Sequence, residues 1–153
     1  MLSREQIAEF RKNGYLVGPK VLGDGEADAL CERMFAVLEG KGQRPSELTR
    51  NLLEGTSERK VFQVVNIWEA DDLFREHLAN EAICGMIAQL MDADVVRVWH
   101  DQIQYKPPQK GGKTGWHQDS MAWPPLGPKG QQVTAWIALD DADQEDGAMS
   151  MVL

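Results

Sequence analysis

The chain has 153 residues, 42% hydrophobic and 26% charged, with a formal net charge of −8. That balance suits a single soluble globular domain, and so acidic a surface repels phosphate backbones, which excludes a nucleic-acid partner. No apolar run approaches the ~20 residues a membrane span needs. The charged stretch 1–10 lacks the apolar centre of a secretory signal, so no membrane partner and a cytoplasmic location are expected.

In chain order, Ser3 to Lys12 predicts a helix with Ser3 and Gln6 as a capping box, Ile7 and Phe10 on one face and Gly14 as the stop. Tyr15-Leu16-Val17 reads as extended. A second helix is predicted from Asp24, its expected cap, to Glu39, with Ala27, Leu30, Cys31, Met34 and Leu38 forming one apolar stripe. Residues 41–58 read as a polar loop with one helical turn near Leu48 to Leu53. Val61 to Trp68 predicts a strand, and Asp71 to Leu78 and Glu81 to Met91 predict helices, the latter capped by Asn80.

From Val95 to Tyr105 the period changes to two. Val96, Val98, His100, Gln102 and Gln104 should share one face, with Ile103 and Tyr105 on the other. Pro107-Pro108 ends that strand and Gly111-Gly112 turns the chain. Gly115 to Asp119 reads as extended, 124–130 as a stiff Pro/Gly loop, and Gln132 to Leu139 as the clearest strand. An acidic turn, Asp140 to Gly147, precedes a further strand from Ala148. Helices first and strands afterwards predict an α+β or mostly-β fold with N-terminal helices, and argue against a doubly wound sheet. The expected organisation is one domain, 1–153, whose residues 1–93 are helical in character and whose residues 94–153 supply the β core. Cys31 and Cys84 lie in apolar helical patterns and read as buried thiols without zinc-site spacing.

The informative motif is Trp116-His117-Gln118-Asp119. On an extended segment residues i and i+2 point the same way, so His117 and Asp119 would aim an imidazole nitrogen and a carboxylate at one point. That is two corners of a 2-His-1-carboxylate site of the kind that suits Fe(II). Taken alone, the tripeptide is equally a surface histidine beside a solvated aspartate. Its surroundings add weight: Gln104-Tyr105-Lys106-Pro107-Pro108 precedes it, and Val133-Thr134-Ala135-Trp136-Ile137-Ala138-Leu139-Asp140 and Asp146-Gly147 follow. Together with Phe10 to Val17, these segments resemble the phytanoyl-CoA dioxygenase family.

That resemblance implies a double-stranded β-helix (a jelly roll, cupin-like), here incomplete at its C-terminal side. It implies an oxidoreductase using Fe(II) with 2-oxoglutarate as co-substrate, and a small-molecule substrate and dioxygen as partners. His117 and Asp119 become catalytic metal ligands, and the retained carboxylate of Asp119 favours hydroxylation over halogenation. Gln102, Thr134 and Trp136 match co-substrate-binding positions, although an inward polar residue, a space-filling threonine and a core tryptophan are the plain alternatives. Gln63 aligns loosely with another such position. The family's second histidine ligand and its 2-oxoglutarate-binding arginine would both fall after Leu153, so weak or absent activity is expected of these residues alone, with self-association through unpaired strand edges. His77 reads as solvated and His100 as packed; Lys106 reads as the solvated end of a strand, while Trp116 and Trp123 line a pocket or pack a loop. The competing classes are a non-catalytic binding domain on the same scaffold and a cupin-like isomerase, which would not need 2-oxoglutarate.

Overall fold

The structure is a computed structural model that describes residues 1–46, 49–55, 58–121, 123–124 and 132–152. Helix α1 (Arg4–Asn13) starts as the sequence predicts: the Ser3 hydroxyl accepts from Gln6 N–H while the Gln6 side chain accepts from Ser3 N–H. Gly14, at φ 80°, ends it in the left-handed conformation that glycine adopts without steric cost. Helix α2 (Glu26–Leu38) buries Leu30, Met34 and Val37. Asp24 is not its cap. The N-cap position falls on Gly25, Asp24 pairs instead with Lys20 at 3.0 Å, and Glu26 reaches back to the N–H of Gly23.

Of the helical turn expected near Leu48 to Leu53, a turn over 52–55 is present, closed by Glu54 N–H on the Asn51 carbonyl, and it is preceded by a short strand, β1 (Thr49–Asn51), that was not expected; Leu48 lies outside the described residues. β1 pairs antiparallel with β2 (Phe62–Val65), and β2 with β3 (Gln102–Tyr105), giving a three-stranded sheet in the order β1-β2-β3. The predicted strand to Trp68 stops at Val65. Asn66 takes φ 55°, which turns the chain out of the sheet and into helix α3 (Ile67–Ala70). Asp71 then caps α4 (Asp72–His77) by accepting from Leu73 N–H, and Asn80 caps α5 (Glu81–Met91) through Ala82 and Ile83 N–H. Leu2 fastens α1 to α5 by exchanging backbone bonds with the Gln89 amide.

The core lies between α2, α3, α4 and one face of the sheet: Leu22, Leu30, Met34, Val37, Val64, Ile67, Ala70 and Phe74, with Ile103, Tyr105, Ile137 and Leu139 packed against it. Asp71 is fully buried inside this layer. Its carboxylate pairs with the Arg33 guanidinium at 2.5 Å as well as capping α4, so the buried charge has both a counter-ion and a backbone donor.

The C-terminal third departs from expectation. Of Val95 to Tyr105 only Gln102–Tyr105 joins the sheet, and Val95, Val98 and Trp99 are exposed. Residues 132–139 form no strand, nor do 148–152, and Asp119 opens a 3-10 turn (Asp119–Met121) rather than closing an extended segment. Alternation is a local property of the sequence, whereas a strand exists only where a partner supplies the other half of each ladder bond. The 132–139 segment still shows its predicted sidedness in part, since Ile137 and Leu139 meet the core and Thr134 and Trp136 face outward. The described residues are therefore a mixed α+β assembly with one small antiparallel sheet, and two facing sheets of a jelly roll are not formed. Among the described residues no helix is long and apolar enough to cross a membrane.

Candidate metal centre

Beyond β3, Pro107 and Pro108 end the strand, and Gly111 and Gly112 bring the chain back beside Lys60 before the motif. His117 Nδ1 lies 2.7 Å from the carbonyl oxygen of Gly115. A carbonyl only accepts, so that ring nitrogen carries the proton. In the neutral ring Nε2 is then a bare lone pair. It stands 3.4 Å from Asp119 Oδ1, itself an acceptor.

Two acceptors facing each other can share a cation, either a second ring proton or a metal ion, where solvent does not satisfy them. Donors ~2.1 Å from one octahedral ion and at right angles stand ~3.0 Å apart, and a small side-chain rotation closes the observed gap to that value. The Gly115 carbonyl does what the outer partner of a metal-bound histidine does: it holds the tautomer and the ring plane. Thr134 Oγ1 donates to Asp119 Oδ2 at 3.4 Å, restraining the carboxylate while leaving Oδ1 toward the histidine. The residues present thus fit two positions of a divalent-ion site. The pair is partly open, with side chains 57% and 44% exposed. Among the described residues no third His, Cys, Asp or Glu stands close enough to complete a cluster.

The other predicted residues are placed as follows. Gln102, on β3, accepts through Oε1 from Gln63 Nε2 at 2.8 Å. Trp136 is exposed on the unpaired 132–139 segment. His100 is half-buried, its ring edge-on to Trp123 at 5.3 Å. His77 is half-buried rather than solvated, and burial pushes its pKa below the usual histidine value. Lys106 bonds the Gly147 carbonyl at 2.9 Å and so ties the acidic turn to the end of β3. Trp116 is exposed, so it does not pack its loop.

Residues 10–152 match the family described as Phytanoyl-CoA dioxygenase (PhyH). The chain belongs to that family. Among curated relatives it is 25% identical to a 2-aminoethylphosphonate dioxygenase of Uncultured bacterium HF130_AEPn_1, over 97% of this chain and 56% of the relative. It is 26% identical to the ectoine dioxygenase of Halomonas elongata, over 99% of this chain and 45% of the relative. The chain therefore spans about half the length of the curated relatives it matches. No solved structure matches it.

Within this PhyH-family chain, sequence reasoning overlooked two groups. Arg50 holds Gln63 with two donors, yet nothing in the polar run around it signals a strand. Asp101 sits in the corner where β2 leaves the sheet, and Asn66 N–H donates to its backbone carbonyl at 2.9 Å. Desolvation lifts its carboxyl to a pKa of about 6, against the nearby backbone N–H groups of Trp68, Asp101 itself and Ile67, which lower it. Its Oδ1, like Oδ1 of neighbouring Asn66, is buried without a partner. A lone aspartate within an alternating segment gives no sign of this burial.

Proposed function

We propose that the protein acts as a non-haem Fe(II)- and 2-oxoglutarate-dependent dioxygenase that hydroxylates an unactivated C–H bond of a small organic substrate. The observation that carries this reading is the facing pair of acceptors, His117 Nε2 and Asp119 Oδ1, 3.4 Å apart with the imidazole tautomer held by Gly115. His117 and Asp119 would hold the ion, and Gln102 and Trp136 would face the co-substrate. Thr134 would position Asp119. Bound Fe(II) supplies dioxygen activation coupled to oxidative decarboxylation of 2-oxoglutarate.

The chain's own contribution is positional. Gly115 keeps the His117 lone pair aimed, and Thr134 keeps one carboxylate oxygen of Asp119 occupied so that the other serves the ion. The carboxylate charge offsets some of the charge of the cation, and its presence favours hydroxylation over halogenation. No residue of this chain is assigned to the third ligand position. The relatives named for 2-aminoethylphosphonate and ectoine support a small polar metabolite as substrate. We further place the chain in a single domain of jelly-roll type and in the cytoplasm, with the outer strands β1 and β3 as the edges for any self-association.

Anaerobic titration with Fe(II), or with Mn(II) as a spectroscopic substitute, tests the site directly. One ion should bind, and His117→Ala or Asp119→Ala should weaken it by about a hundredfold. Equal binding in the variants would refute the assignment. Succinate release that depends on 2-oxoglutarate tests the reaction. A non-catalytic binding domain is the second reading; it predicts ion binding without succinate release.

A further inference from the structure

A cleft of about 270 Å³ opens where α3 and α4 meet the segment leading into β3, lined by Asn66, Trp68, Arg75, Leu78, Val98 and Trp99. None of the residues matched to the metal or the co-substrate lines it. Three pieces of chain converge there. Asn66 and Trp68 lie where β2 gives way to α3, Arg75 and Leu78 stand one turn apart at the end of α4, and Val98 and Trp99 precede β3.

Asn66 supplies an unused acceptor. It precedes α3, where an asparagine side chain ordinarily accepts from the first N–H groups of the helix. It makes no such bond. Its backbone is left-handed, at φ 55°, instead of the extended form that aims a capping side chain along the helix. Its own N–H and carbonyl are engaged by Asp101 and Glu69. Its Oδ1 is buried and, among the described residues, has no hydrogen-bond partner. A ligand hydroxyl or N–H entering the cleft would supply the missing donor.

Arg75 supplies the charge. Its guanidinium lies over the Trp68 ring, 4.6 Å from the centroid. Stacking by its face leaves its edge N–H groups for a carboxylate, which they can take with two parallel bonds. Its carboxylate partner, Asp72, is 3.9 Å away and is held more closely by Arg44, at 2.6 Å. One carboxylate shared by two guanidiniums leaves positive charge over. The remaining walls are apolar, and Val98 and Trp99 are more than half exposed. Two indoles and a planar cation suit a flat ligand. An apolar cavity of ~150 Å³ is enough for benzene, so this volume suits one ring with its polar substituents.

We propose that this cleft binds a small aromatic acid: one ring against the indoles of Trp68 and Trp99, its carboxylate on the Arg75 guanidinium, and a ring hydroxyl or amino group donating to Asn66 Oδ1. The site needs no metal and stands apart from the dioxygenase reading.

The test follows the five indole N–H groups by 15N NMR while the metal-free chain is titrated with meta- and para-hydroxybenzoate, each against benzoate. Trp68 and Trp99 should shift and saturate with at least one hydroxybenzoate, and exposed Trp116 and Trp136 should not. Non-saturating shifts, or saturation at Trp116 or Trp136 without Trp68 and Trp99, would overturn the proposal and leave the cleft a solvent-filled groove. Arg75→Gln, at a half-exposed position on α4, should weaken binding by about tenfold; unchanged affinity sinks the proposal. The unaltered chain should favour the better hydroxybenzoate over benzoate by about fivefold to tenfold. Asn66→Gly keeps the left-handed backbone, which glycine adopts freely, and should erase that preference by removing the amide. No preference in the unaltered chain, or one that survives in Asn66→Gly, also overturns it. Thermal melts check both variants, and Arg75→Gln with the unaltered chain carries the test if Asn66→Gly does not fold. His117→Ala should leave the titration unchanged; lost binding would move the acid to the metal motif and refute the cleft. If the unaltered chain binds the acid but no Mn(II), the dioxygenase reading fails and the cleft stands.

Discussion

Asp101→Asn is expected to stabilise the protein above pH 6 and to flatten its pH dependence. The carboxyl is raised from its ordinary 3.8 to about 6, mainly by desolvation, so the folded state favours the protonated form. The stability contributed by that proton is fully present below pH 3.8. It is lost as pH climbs from 3.8 to 6, because the unfolded chain ionises first, and it stays lost above 6. The distance from 3.8 to about 6, at ~1.4 kcal/mol for each tenfold change in proton affinity, sets a ceiling of ~3 kcal/mol. Asp101 is only partly buried, and water screening brings the expected figure to ~1–2 kcal/mol. The introduced amide carries no charge to desolvate. Urea denaturation of both proteins at half-unit steps from pH 4 to 8 measures the difference. The variant should gain ~1–2 kcal/mol over the parent between pH 4 and 6 and hold that gain to pH 8. Parallel curves, or a variant less stable than the parent at pH 7.5, would refute the argument that a desolvated carboxylate sits in this corner.

Asp71→Ala removes a fully buried carboxylate that pairs with Arg33 and caps α4; a loss of about 3–5 kcal/mol is expected by urea denaturation at pH 7, and a change under 1 kcal/mol would show the pair to be dispensable. Thr134→Val deletes the hydroxyl on Asp119 Oδ2 while keeping shape, so Mn(II) affinity should fall by about threefold to tenfold with little change in the melt; unchanged affinity would remove Thr134 from the site.

How far the fold could be read in advance differed along the chain for a physical reason. Helices α1, α4 and α5 were legible because each signal is local: Ser3 with Gln6, Asp71, and Asn80 satisfy donors two or three residues away. Asp24 misled because Gly23 and Gly25 let the chain turn so that Glu26 reaches back to Gly23 in its place. The strands were legible only in sidedness. Gln102 and Gln104 do oppose Ile103 and Tyr105, yet the ladder ends where β2 ends, because Asn66 turns away. β1 was invisible, since Thr49-Arg50-Asn51 has neither alternation nor apolar content and becomes a strand through β2 alone.

The sequence by itself determined the family, the helix termini and the pairing of an imidazole with a carboxylate two residues on, since each depends on residue identity and short spacing. Only the tertiary structure decided that Thr134 restrains Asp119, that Asp101 loses its water, and that Arg50, Gln63 and Gln102 line up across the sheet. Those features join residues from 13 to 39 positions apart, or depend on what covers a side chain. Neither long-range juxtaposition nor solvent exclusion is written into a local pattern; both exist only once the chain has packed.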